Sequence, residues 1–106
     1  MEFISAVYSV TAAYPKTELF GLTDQIRRAA VTIALNIAEG SGSGSDKEFS
    51  RFLRIALRSG YEVITGLEIA IRLKYGNEAQ NQSLIQDVDE LGAMISGLIK
   101  SLKAES

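Results

Sequence analysis

Arg51, Arg54 and Arg58 recur at steps of three and four in "DKEFSRFLRIALRSG", and Arg27 and Arg28 stand together in "TDQIRRAA". On a helix such spacing makes a cationic stripe, and the chemistry of a cationic stripe is to neutralise phosphates, releasing counterions so that binding weakens as salt rises. The run "EGSGSGSDKEF" is the other stretch that invites a phosphate. A Walker loop requires a Gly-Lys-Ser/Thr ending after a strand, and this run has no such ending and follows a helical segment. An anion held on the bare amides of a helix N-terminus beside the glycines is the weaker alternative. Histidine and cysteine are both absent, which excludes disulfides, thiol nucleophiles, imidazole bases and the common zinc sites. A di-metal bundle site would need Glu-x-x-His pairs, which this chain cannot supply. Carboxylates remain, such as Asp87 with Glu90, but no motif ties them to a pocket. The expectation is a protein that is not an enzyme and carries no cofactor or metal.

The arginines also have a plain structural reading as solvated faces or intersubunit ion pairs, for example Arg58 with Glu62. Charge favours that reading. The chain carries net −2 and a pI of about 5.1, whereas nucleic-acid modules typically exceed pI ~9. Even so, residues 21–60 sum to +2 and residues 61–106 to −3, so the basic part is the middle. Asn36 and Glu39 fall in an apolar stretch and, if buried, need hydrogen-bond partners. Arg27 or Arg28 from another helix or subunit is a candidate for Glu39, and a role in fixing register or assembly is favoured over catalysis.

At 106 residues with 46% hydrophobic and 23% charged side chains, one globular domain spanning 1–106 is expected. No apolar run approaches the ~18 residues that cross a bilayer, and "MEFISAVYSV" lacks the basic start of a secretory signal. Both point to a cytoplasmic protein without membrane association. The lone Pro15 and the clustered glycines divide the chain into four segments with helical spacing. In the first, Phe3, Val7, Val10 and Tyr14 share a face that stops before Pro15. In the second, Thr23 is expected to cap the helix, with Asp24 in its first turn and Ile26, Ala30, Ile33 and Ile37 as its stripe. Val31, Leu35 and Ala38 lie off that stripe, so more than one side needs covering. The third, 46–74, turns Phe49, Phe52, Leu53, Ala56, Leu57, Gly60, Ile64, Leu67 and Ile71 inward and Arg51, Arg54, Arg58 and Glu62 outward. The fourth, 83–103, shows a seam of Leu84, Val88, Leu91, Ile95, Leu98 and Leu102. Its "GAMISG" glycines, Gly92 and Gly97, suit close approach of a neighbouring helix. Strand signals are absent. Four helices with short connections predict an all-α, antiparallel up-down-up-down four-helix bundle. The glycine-serine run is then a corner: Gly40 ends the second helix in a left-handed conformation, and "SDKE" at 45–48 is a capping box for the third.

"LFGLTDQIRRAAVTIALNIAEGSG", then "DKEFSRFLRIALRSGYEV" and "GLIKSLK", resemble the bacterial four-helix-bundle proteins encoded in intervening sequences of 23S ribosomal RNA genes. The same pattern is similar to the accessory variability determinant proteins of diversity-generating retroelements. The likeness spans about 7–103. It implies a protomer of a ring-like homopentamer without enzymatic activity and, for the retroelement relatives, partners in RNA or DNA and a reverse transcriptase. In such a ring the arginine stripe would be repeated. The first helix is shorter than the family pattern, Ala34 stands where a proline is common, and Ser43 and Gly44 replace basic residues, which removes positive charge near the corner.

Overall fold

The computed structural model describes residues 2–105, and side chains through residue 103. Four α-helices, α1 (Glu2–Thr11), α2 (Leu22–Ser41), α3 (Asp46–Arg72) and α4 (Glu78–Glu105), are joined by a 3-10 turn at Lys16–Glu18 and short loops, and no strand occurs among the described residues. α3 packs against α2 on one side and α4 on the other, while α1 lies against both α2 and α4. The particle measures 46 × 22 × 19 Å, and its long axis matches the roughly 40 Å that the 27 residues of α3 span at 1.5 Å each. Buried side chains from all four helices form one apolar cluster, with Val7, Ile26, Ile33, Leu53, Val63, Leu67, Leu84 and Val88 nearly or wholly inaccessible.

α1 buries the expected face through Val7 and Val10 but ends at Thr11, so that Tyr14 is buried from the turn that follows; its last turn is closed by Thr11 Oγ1 donating to Val7 O at 2.7 Å. Pro15, with no amide to donate, prevents continuation. α2 begins differently from the expectation. Gly21 holds the N-cap position, Thr23 lies inside the first turn, and no side chain of the N-cap residue caps the helix. The 3-10 turn delivers Glu18 instead, whose Oε1 accepts from Leu22 N at 3.1 Å. Thr23 is thereby buried with a partnerless hydroxyl.

The corner also departs from its expected chemistry. Gly40 is helical and buried, and α2 runs to Ser41; the left-handed residue is Gly44, at φ 82°. A Cβ on Gly40 would lie 2.8 Å from Phe49 Cδ1 and 2.8 Å from Phe52 Cβ. Gly40 is therefore needed for close approach of α2 and α3 rather than for backbone freedom. Gly66 does the same farther along the seam, where a Cβ would come 2.5 Å from Ile26 Cγ1. Ser45 caps α3 as expected, accepting from Glu48 N at 3.1 Å, but Glu48 completes no box, because its carboxylate takes Arg51 instead.

α4 starts five residues before the expected 83, since Asn77 Oδ1 accepts from Gln80 N at 2.9 Å and caps an earlier turn. Its buried seam is Leu84, Val88, Ile95, Ile99 and Leu102, with Leu98 39% exposed. A straight helix drifts from a strict four-three repeat, and over two heptads that drift brings Ile99 inward in place of Leu98.

Candidate interaction surface

Where the α1–α2 and α3–α4 connections meet, polar side chains form a partly buried chain of hydrogen bonds. Tyr14 OH donates to Asn81 Oδ1 at 2.7 Å, Asn81 Nδ2 donates to Tyr75 O at 2.9 Å, and Tyr75 OH donates to Glu18 Oε2 at 2.9 Å. Asn81 is wholly buried, and each of its two functional atoms has a partner, which makes this desolvated amide tolerable. Burial pushes the Tyr14 phenol up to about 12. The hydrogen bond to Glu18 is the main cause of a raised Tyr75 pKa, with burial and the carboxylate charge acting the same way. The tyrosine rings stand 6.0 Å apart. Gly76, at φ 66°, leaves room for Tyr14, whose ring would be 3.0 Å from an added Cβ. Glu18 thus joins the network to the start of α2. Between them sits Phe20, which is 92% exposed.

An open groove of about 910 Å³ runs between α2 and α3, with Leu22, two residues along the chain from Phe20, in its lining. Leu22, Ile26, Ile55 and Ile69 supply apolar lining, and Asp24, Arg28, Arg58 and Glu62 supply charges of both signs. Leu35, Tyr61 and Ile69 on the same two helices, and Leu73 just past the end of α3, are also exposed.

The five arginines do not converge. Arg27 turns toward α1, where Nε donates to Thr11 Oγ1 at 2.9 Å and a terminal nitrogen donates to Tyr8 O at 3.4 Å, with the guanidinium 4.6 Å above the Tyr8 ring. It clamps α1 onto α2 and is not displayed for phosphate. Arg28 is exposed, 3.8 Å from Asp24 one turn away. Arg51 pairs with Glu48 at 3.0 Å and lies 4.6 Å over the Phe52 ring; their hydrogen bond lowers the Glu48 pKa and raises that of Arg51. Arg54 and Arg58 are exposed, and no partner for either is found among the described residues; Arg58 and Glu62 make no ion pair with each other inside the chain. Arg28 and Arg58 share the groove.

Asn36 is half-buried and donates to Thr32 O at 2.8 Å, back-bonding within its own helix. Glu39 is exposed, so the condition under which it would need a buried partner does not arise within the chain; six residues beyond Ile33 the helix has turned it well off the core-facing stripe. Within the chain Arg27, held by α1 and about three turns away on the same helix, does not reach it. Gly97 has open space around its Cβ position, and Gly92 would make only an ordinary 3.5 Å contact with Leu57, so neither forces close packing. Asp87 and Glu90 are exposed. Among the described residues no group of three or more histidine, cysteine, aspartate or glutamate side chains is placed to hold a metal, and no helix is long and apolar enough to cross a membrane.

Sequence reasoning missed Glu18, Phe20, Tyr75 and Asn81. Phe20 had a signal, an aromatic residue in "LFGLT" between two helical segments with no stripe to join. Asn81 had none, since "NEAQNQS" reads as polar loop until α4 is known to start at Glu78.

Together these features define an all-helical, four-helix protein whose outer α2/α3 face combines apolar and charged side chains. The chain belongs to the 23S rRNA-intervening sequence protein family, whose profile matches residues 1–97. Among curated proteins there is no match. Among solved structures it is similar to the 1.70 Å crystal structure of a protein with unknown function from the S23 ribosomal protein family of Bacteroides thetaiotaomicron VPI-5482. The two are 28% identical over 93% of each chain, with a TM-score of 0.83.

Proposed function

We propose that this chain is a non-enzymatic scaffold subunit, an antiparallel up-down-up-down bundle that assembles with copies of itself across the outer α2/α3 face. The family resemblance suggests five subunits in a cytoplasmic ring. The observation that carries this reading is the groove: an apolar lining edged by Asp24 and Glu62 against Arg28 and Arg58. Equal numbers of acids and bases suit another protein surface, and a second copy offers the same mixture. Sedimentation velocity at about 1 to 50 μM, the range in which interfaces of ordinary size are populated, tests it. Oligomers several times the monomer mass are expected, and a compact monomer throughout would overturn it.

A second reading is favoured by Arg54 and Arg58 of α3, which are exposed and have no partner among the described residues. Arg54 and Arg58, with Arg51 a turn earlier, present cations that a ring would repeat, in keeping with RNA or DNA binding. Likeness to the retroelement accessory proteins adds a reverse transcriptase as a partner under this reading. Binding measured against salt should then weaken steeply, and Arg54→Ala with Arg58→Ala should lower both affinity and the salt slope. Indifference to both would rule this reading out.

A further inference from the structure

Phe20 is the most exposed large apolar side chain among the described residues, yet the backbone that carries it is held on both sides. Glu18 O accepts from Gly21 N at 2.9 Å, Glu18 Oε1 accepts from Leu22 N at 3.1 Å, and Glu18 Oε2 is fixed by Tyr75 OH at 2.9 Å. One carboxylate therefore ties the residues on each side of the ring to the partly buried Tyr75–Asn81–Tyr14 chain. An aromatic side chain on a preorganised turn loses little conformational freedom on docking, and such rings are the usual anchors of interfaces.

We propose that Phe20 of one copy docks into the α2/α3 groove of the next, so that each subunit offers one knob and one hole. This rests on the assembly reading above and names the residue through which it works. A second copy fits the groove better than a polyanion or a wholly apolar partner, for two reasons. The groove combines apolar Leu22, Ile55 and Ile69 with charges of both signs, and the turn around Phe20 likewise carries Lys16 and Glu18, one of each sign. In addition, Phe20 does not fill its own groove although it lies two residues from Leu22 at the groove's edge, as its 92% exposure shows. Phe20 is not among the residues that line the groove, so knob and hole are distinct patches, and a contact between them made in one direction repeats head to tail, closing into a ring or extending into a filament.

Native mass spectrometry of the wild type, of Phe20→Ser, of a groove variant Ile69→Glu and of their equimolar mixture tests this, with melting curves as the folding control. The wild type should exceed a dimer. Phe20→Ser should melt as the wild type does and dissociate at about thirtyfold higher concentration or more. Ile69→Glu, or Thr65→Glu if the former melts early, should also fall to monomer, and the mixture should yield a heterodimer through its single intact contact. A wild-type oligomer that Phe20→Ser leaves unchanged would overturn the Phe20 anchor and leave the assembly reading standing. A monomeric wild type would overturn both.

Discussion

The two connecting regions of this protein are closed by opposite means. The α1–α2 and α3–α4 connections are joined by side chains: Tyr14, Asn81, Tyr75 and Glu18 form a hydrogen-bonded chain across three segments. The α2–α3 corner is closed by the absence of a side chain, with Gly40 against Phe49 and Phe52 and a serine cap on the helix that follows. The first region fails when atoms are removed, and the second when they are added. Their surfaces differ in the same way. The hydrogen-bonded region holds out an apolar ring, Phe20, while the half of α3 that follows the corner carries exposed arginines. Assembly and phosphate binding, the two functions weighed for this chain, meet at Arg58, which edges the groove, but Phe20 and Arg54 stand outside its lining and separate the two in a test.

The largest effect is expected at the centre of the hydrogen-bonded region. Asn81→Ala strips the Tyr14 hydroxyl and the Tyr75 carbonyl of their partners and leaves a small void, so a loss of about 3 kcal/mol is expected, or roughly 15 °C in Tm. A loss below about 1 kcal/mol in denaturant titration would mean that water replaces the amide without penalty. Gly40→Ala comes next. Overpacking against Phe49 and Phe52 costs about 1–3 kcal/mol, and the better helix propensity of alanine returns about 1, so the net loss should be about 0–2 kcal/mol. A stabilised Gly40→Ala would show that the corner is looser than its geometry implies.

A subtler contrast appears in alkali. The Tyr14 phenol, raised from 10 to about 12 by burial, favours the neutral form in the folded state. Its contribution is therefore complete below pH 10 and lost as pH rises from 10 through about 12. Tyrosinate absorbance should show a late-ionising group near pH 12 that Tyr14→Phe abolishes, and the variant's stability should be flatter over that window. The smallest effect is expected at Thr23, buried beside this region but outside its hydrogen bonds. Thr23→Val should change stability by less than about 0.5 kcal/mol or raise it, because no hydrogen bond is lost and a desolvated hydroxyl is removed. A loss above about 1 kcal/mol would reveal a partner for that hydroxyl.

Features set by neighbours within one or two turns were legible in the sequence. The α1 face, the outward arginines of α3 and the Ser45 cap all follow from local spacing. Features decided by a competing or distant group were not. Thr23 has the chemistry of a cap, but a 3-10 turn brought Glu18 to the helix start first. Gly40 resembles a helix terminator until Phe49 and Phe52, nine and twelve residues later, are packed onto it. Arg27 belongs on paper to a cationic set, and only the position of α1 shows that Thr11 and Tyr8 occupy it. Of the candidate surface, the sequence disclosed the charges and missed the ring and the groove between them, since a groove is a property of two helices at once.

Native mass spectrometry of the freshly purified protein at low and at high salt tests the central claim most directly, because it reports subunit number and bound nucleic acid together. Assembly through Phe20 and the groove predicts the same protein-only oligomer in both conditions. A monomer, or an assembly that carries RNA at low salt and falls apart on losing it at high salt, would contradict the account.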